Sequence, residues 1–161
     1  MSTMQVNLDY FTQRHCSTQW RLFVSELVRE FHTQVDRDLA SGFFRQVGRR
    51  MAAALPLGPC DTLEAVEQAL NRVLGDMDWG WVRVREGERA LELTHGAYPV
   101  VPIGEHGIDA WLVPLLEGAY TEWLTGLGGD PAFTAQCYEM PRAPVEAIRL
   151  RYGRPPDAAA G

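Results

Sequence analysis

Trp79-Gly80-Trp81-Val82-Arg83-Val84-Arg85 is the stretch on which the fold turns. Large apolar residues and arginines alternate along it, the pattern of a strand with one face buried and one in water. The residues just before it follow a different rule. Leu63, Val66, Leu70, Val73, Leu74 and Met77 recur at three- and four-residue steps, which marks one face of a helix. The period changes at Gly75-Asp76, and Asp76 and Asp78 both suit turn geometry. A helix that runs into a half-buried strand makes the chain neither all-helical nor all-β.

Upstream, Trp20, Phe23, Val24, Leu27, Val28, Phe31 and Val35 predict a helix starting at Ser17 or Thr18, either of which can cap it. A second helical pattern runs through Leu39, Phe43, Phe44, Val47, Met51 and Leu55 and ends at Pro56-Leu57-Gly58-Pro59. Gly48 inside it costs about 1 kcal/mol relative to Ala; it marks close packing against another backbone or is simply tolerated. The helix before the key strand opens with Asp61 and Glu64 at capping-box spacing.

Downstream, Glu86-Gly87-Glu88-Arg89 reads as a turn into a second strand, Ala90–His95, with Leu91, Leu93 and His95 on one face. Residues 96–107, with Gly96, Pro99, Pro102, Gly104 and Gly107, read as a loop. An apolar helix follows over about 109–127, with Pro114 either kinking it or marking its first turn. Gly126-Leu127-Gly128-Gly129 is its C-cap and turn rather than a phosphate loop. Two more strand-like runs, 132–140 and 145–152, are split by Pro141 and Pro144. The layout predicts an α+β fold, an antiparallel sheet of about four strands in two hairpins packed with about four helices. One domain is expected over 1–154, with a polar arm at 1–16 and a disordered tail at 155–161.

The late helix carries more apolar surface than one sheet face hides. Trp111, Leu112, Leu115, Leu116, Ala119, Tyr120, Trp123 and Leu127 leave little of its circumference polar. Self-association through it or through the first helix would cover the surplus, and so would central burial in one protomer. Trp20, Phe23, Leu27, Trp111, Leu115, Tyr120 and Trp123 are accordingly the candidate interface residues.

Charge excludes one class of partner. The formal net charge is −6 and the pI about 5.2, whereas a nucleic-acid site needs a basic face. Cys16, Cys60 and Cys137 form neither a disulfide framework nor a metal pattern. The polar N-terminus lacks the apolar core of a secretory signal, and no run approaches the roughly 18 apolar residues of a membrane span. The expected compartment is the cytoplasm.

Catalytic chemistry is not visible. His15, His32, His95 and His106 have no metal-ligand spacing, and no cofactor or metal is expected. Glycoside hydrolysis needs two carboxylates, for which Glu86/Glu88, Asp76/Asp78 and Glu117/Glu122 are the available pairs. Glu117 stands out because it sits in an apolar run; it pairs with an arginine such as Arg49 or Arg50, faces solvent, or marks a site. No catalytic residue is assigned.

Two stretches together resemble the family of the bacterial cellulose synthase D subunit, also called cellulose synthase operon protein D. The first is Phe44-Arg45-Gln46-Val47-Gly48-Arg49-Arg50-Met51-Ala52, followed by Cys60 and the run to Asp78-Trp79-Gly80-Trp81-Val82. The second is Trp111-Leu112-Val113-Pro114-Leu115-Leu116-Glu117-Gly118-Ala119-Tyr120, followed by Trp123. Order and spacing agree over residues 20–152, departing at the arm and in the loop 96–107. The resemblance implies a non-enzymatic accessory subunit of the cellulose synthase and secretion complex. It implies dimers assembled into a ring-like octamer, working beside the synthase complex and a small proline-rich secretion partner protein. It also implies that the arm lines passages for the glucan chain, which makes Tyr10, Phe11, Gln13 and Arg14 the candidate sugar contacts. The order of elements also resembles 4-vinyl reductase-like small-ligand or scaffold modules, which require an internal apolar pocket.

Overall fold

The structure, a computed structural model, describes Leu8 and residues 16–156. Helices α1 (Thr18–Gln34), α2 (Arg37–Ala54) and α3 (Leu63–Asp76) lead into strands β1 (Trp81–Glu86) and β2 (Ala90–Gly96). A short 3-10 turn (Ile108–Ala110), helix α4 (Leu112–Gly126) and strands β3 (Thr134–Glu139) and β4 (Ile148–Gly153) complete the chain. Residues 16–156 thus show the expected α+β arrangement, four helices and a four-stranded antiparallel sheet.

Each of the first three helices starts where a short oxygen-bearing side chain can take an orphan backbone N–H. Ser17, Asp36 and Thr62 accept from the N–H groups of Trp20, Leu39 and Ala65 at 3.3, 2.9 and 3.1 Å. The cap of α3 is therefore Thr62 and not Asp61, because Thr62 is the extended residue directly before the first helical turn. Glu64 then falls in that first turn, where the helix dipole favours a carboxylate. The turn from α3 into β1 runs through Asp78 and Gly80, both left-handed, with φ of 55° and 93°. A Cβ on Gly80 would lie 2.1 Å from the Gly96 carbonyl oxygen, so the strand can approach β2 here only through glycine.

The strand order is β1-β2-β4-β3, so two hairpins meet at the central β2–β4 pair. Its register aligns Val84 with Leu93 and Leu93 with Leu150, and β3 adds Ala135 opposite Tyr152. Val82, Val84, Leu93, His95, Ala135, Ile148, Leu150 and Tyr152 form the buried inner face. Both outer strands have some of their outward backbone groups taken by helix side chains. On β1, the Asn71 amide accepts from Val82 N–H (2.9 Å) and donates to Val82 C=O (2.8 Å), while Glu67 accepts from Val84 N–H (2.7 Å). On β3, Thr121 accepts from Ala135 N–H (2.8 Å) and Glu117 from Cys137 N–H (3.0 Å). Edges occupied in this way cannot recruit a further strand at those positions.

Helix α4 lies between α2 and the sheet, and twelve of its residues are buried. The surplus apolar surface of the late helix is thus covered within one protomer. Glycine makes that possible: a Cβ on Gly48 of α2 would sit 1.9 Å from the Leu115 carbonyl oxygen, and one on Gly118 of α4 2.0 Å from that of Arg45. Gly48 is therefore a close-packing glycine rather than a tolerated one. Pro114 is the third residue of α4, where no intrahelical bond is lost to its missing N–H. The loop 96–107 is more than a connector, since Tyr98, Val101 and Ile103 enter the core.

Candidate interaction surface

Helix α1 carries apolar residues over a wide arc, and the fold covers only part of it. At 100° per residue, Val24 and Val28 point to one side of the arc and Trp20, Phe23 and Leu27 to the other. The first pair is buried, whereas Trp20, Phe23 and Leu27 are 41%, 61% and 41% exposed. Among the described residues, few polar contacts hold the helix in place. Ser25 donates to the Pro102 carbonyl (2.9 Å), His32 Nε2 donates to the Ala110 carbonyl (2.9 Å), and the His32 ring stacks on His106 (4.8 Å).

The open arc continues onto α2 through aromatic contacts. Phe31 stacks on Phe43 at 4.5 Å and meets Phe44 edge-on at 5.9 Å. Phe44 is buried, while Phe43 and Leu39 remain 42% and 63% exposed. Trp20, Phe23, Leu27, Phe43 and Leu39 thus form an apolar face shared by two helices, of the kind that marks an interaction site. Leu39 and Phe43 belong to this surface although their spacing reads as core. Phe43 and Phe44 lie about 100° apart on α2, and the core takes Phe44 while Phe43 turns toward Phe31 and solvent.

The other expected interface residues are placed differently. Trp111, Leu115, Tyr120 and Trp123 are buried inside the protomer. Trp111 packs edge-on against Trp79 at 6.3 Å, Tyr120 against Trp123 at 5.8 Å, and Trp123 Nε1 donates to the Leu55 carbonyl at 2.9 Å. Tyr10, Phe11, Gln13 and Arg14, together with His15 and the tail from 157, lie outside the described residues.

The polar groups singled out by sequence have structural partners. Glu117 pairs with Arg45 (2.8 Å), not Arg49 or Arg50, and its second oxygen takes the β3 backbone. Glu122 lines a different cleft, so this pair of carboxylates is not brought together. Glu86, Glu88, Asp76 and Asp78 are solvated. His95 is fully enclosed: Nε2 donates to the Trp79 carbonyl (2.8 Å) and Nδ1 accepts from the Tyr120 hydroxyl (2.5 Å). Burial holds its pKa down to about 4 against an ordinary 6.5, so the ring is neutral and cross-links the sheet, the α3–β1 turn and α4. Burial likewise raises the Tyr120 hydroxyl well above its ordinary range.

Cys16, Cys60 and Cys137 are free thiols. Burial, with the nearby Glu117 and Glu139 carboxylates, pushes Cys137 up to about 11, so it is not a thiolate at neutral pH. No cluster of three or more His, Cys, Asp or Glu among the described residues could hold a metal. A cleft of about 540 Å³ beside Pro56, Cys60 and Trp123 and another of about 430 Å³ beside Arg45 and Gln136 open to the surface. Neither is the internal apolar pocket that a small-ligand module requires.

The two sequence stretches that resembled a family now have a shared geometry. Phe44–Ala52 and Trp111–Tyr120 are the crossing helices, joined by Gly48, Gly118 and the Arg45–Glu117 pair. Comparison with known proteins agrees. The family model for the D subunit of cellulose synthase matches residues 6–153. A protein named "Cellulose synthase operon protein D" from Komagataeibacter xylinus is 31% identical over 146 residues, 86% of this chain and 94% of its own length. A second of that name from the same organism is 29% identical over 146 residues, with the same coverage of both chains. One from Komagataeibacter sucrofermentans is 29% identical over 120 residues, 73% of this chain and 77% of its own. On the match over residues 6–153 and on these relatives, the chain belongs to the family of the cellulose synthase D subunit.

Proposed function

We propose that this chain is a non-catalytic accessory subunit of a bacterial cellulose synthase complex, working as a self-assembling scaffold. The observation that carries the reading is the open apolar face of Trp20, Phe23, Leu27, Phe43 and Leu39, on a protomer whose conspicuous polar groups are engaged in its own structure. Family membership supports the link to the synthase operon. In the fuller reading, one domain over 1–154 pairs through the open face, and the pairs build a ring-like octamer. That ring meets the synthase and a small proline-rich secretion partner, arranges synthase complexes and assists export and ordering of glucan chains. Tyr10, Phe11, Gln13 and Arg14 are proposed as glucan contacts on the arm. No described helix is long and apolar enough to cross a membrane. The scaffold is placed in the cytoplasm beside the inner membrane, with the periplasm as the alternative compartment.

Light scattering tests the core of this. The native chain at micromolar concentration should have the mass of a multimer, and Phe23→Arg with Leu27→Glu should lower it while the circular dichroism spectrum stays native. A native chain that is only monomeric, or a variant with unchanged mass, overturns the assignment. In a deletion strain, the same double variant should fail to restore cellulose morphology.

A further inference from the structure

We propose that the outer face of the sheet is a docking surface for an acidic protein segment, held by four arginines at fixed positions. This face lies on the far side of α4 from α2 and takes no part in the self-association read above. Across the whole chain, acidic residues outnumber basic ones by 21 to 15. On this face the balance reverses. The strand registers set one row of Arg85, Glu92, Arg151 and Gln136, and a second of Arg83, Thr94, Arg149 and Glu139, so four arginines face two carboxylates. Neighbouring strands are about 4.8 Å apart, so the β1 and β4 arginines of each row stand roughly 10 Å apart.

The carboxylates present do not neutralise the four cations. Glu92 approaches Arg151 at 3.7 Å and Glu139 approaches Arg149 at 3.6 Å, through side chains 43–60% exposed. Such solvated pairs are weak and easily exchanged. Arg83 and Arg85 have no carboxylate within 4.0 Å among the described residues. Guanidinium forks on a rigid sheet suit bidentate capture of carboxylates. Two half-exposed rings flank them, Trp81 and Tyr138, and arginine with large aromatics is the composition of protein-binding hot spots.

The rings argue against a sugar polymer as the main occupant. Trp81 lies across Gly96, where a Cβ would meet the indole at 2.3 Å, and Arg83 stands 5.9 Å from the centre of the ring. The Arg151 guanidinium sits 4.0 Å over Tyr138. Ring faces already occupied leave little for sugar stacking, whereas the guanidinium edges stay free for carboxylates. The mode of docking is also restricted. Helix side chains hold Val82 and Val84 on β1 and Ala135 and Cys137 on β3, so the partner crosses the face rather than extending the sheet.

Fluorescence anisotropy of the full chain with a labelled short peptide of alternating Glu and Ser tests this at low salt. Binding is expected to weaken as salt rises. The pair Arg83→Ala/Arg85→Ala should weaken it about tenfold, and Arg29→Ala/Arg72→Ala, off this face, should not. A charge-reversed Arg83→Glu/Arg85→Glu chain should instead bind a matching Arg/Ser peptide, a gain that misfolding could not supply. Absence of binding, or equal weakening by the control pair, overturns the proposal. Capture of cello-oligosaccharide in place of the peptide, lost in the same Arg83/Arg85 variant, would reassign the face to glucan.

Discussion

Helices α1 and α4 both carry more apolar surface than one packing face needs, yet one is enclosed and the other is not. The difference lies in what their polar residues do. On α4, Glu117, Thr121 and Thr125 all turn inward to hydrogen bonds, with the β3 backbone, Arg45 and the Tyr152 hydroxyl. Apart from Glu122, half-buried beside a surface cleft, the helix can then be wrapped on nearly every side. On α1, Glu26, Arg29 and Glu30 are solvated, so one side must face water. The core covers Val24 and Val28 and leaves Trp20, Phe23 and Leu27 outside. Apolar excess therefore shows that a helix needs cover, and the polar residues decide whether that cover lies within the protomer.

Breaking the enclosure of α4 should have the largest effect. Gly118→Val drives a branched side chain into a backbone carbonyl that a bare Cβ would already meet at 2.0 Å. Neither helix can yield without unseating the other, so we expect a loss of more than about 3 kcal/mol. Urea unfolding and soluble yield check it; an unfolding midpoint close to native would mean that the crossing is looser than described.

This crossing also shows how far the sequence could be read. The strand beginning at Trp81 and the helix before it were legible because a change of period is a local signal. The four-strand count was equally open to reading, since turns and prolines bracket each run. The long-range contacts were not legible. Gly48 could be a packing glycine or a tolerated one until Leu115 was found against it, 67 positions away. Glu117 could have used any of several arginines; one helical turn on α2 separates Arg45 from Arg49, and only the crossing angle chooses. The open face was half readable, as Trp20, Phe23 and Leu27 but not Leu39, because the boundary between core and surface depends on how α1 sits on the loop.

A second effect, intermediate in size, comes from the hydrogen bond that ties α4 to the sheet. Folded His95 stays neutral down to about pH 4, whereas in the unfolded chain it protonates near its ordinary 6.5. Within that window the unfolded state binds the extra proton. Stability is therefore full above the window, falls as pH drops through it, and levels off below it, by on the order of 3 kcal/mol. Urea midpoints measured across the window should slope in the native chain, and more gently in His95→Gln. Parallel slopes would mean that other groups carry the acid sensitivity.

The smallest effect on stability belongs to α1, and there the comparison becomes sharpest. Phe23→Gln with Leu27→Gln removes apolar side chains that the protomer leaves half in water. At dilutions where the chain is a single protomer, unfolding should change by no more than about 0.5 kcal/mol, as for other surface substitutions. Leu116→Ala, in the enclosed helix, should cost about 2–5 kcal/mol under the same conditions. Raising the protein concentration separates the two further. Association stabilises the folded state by mass action, so the native chain and Leu116→Ala should both gain stability on concentration. The α1 double variant should gain none. A native chain with no dependence on concentration would mean that the apolar face on α1 and α2 is left open for another protein and not for a second copy.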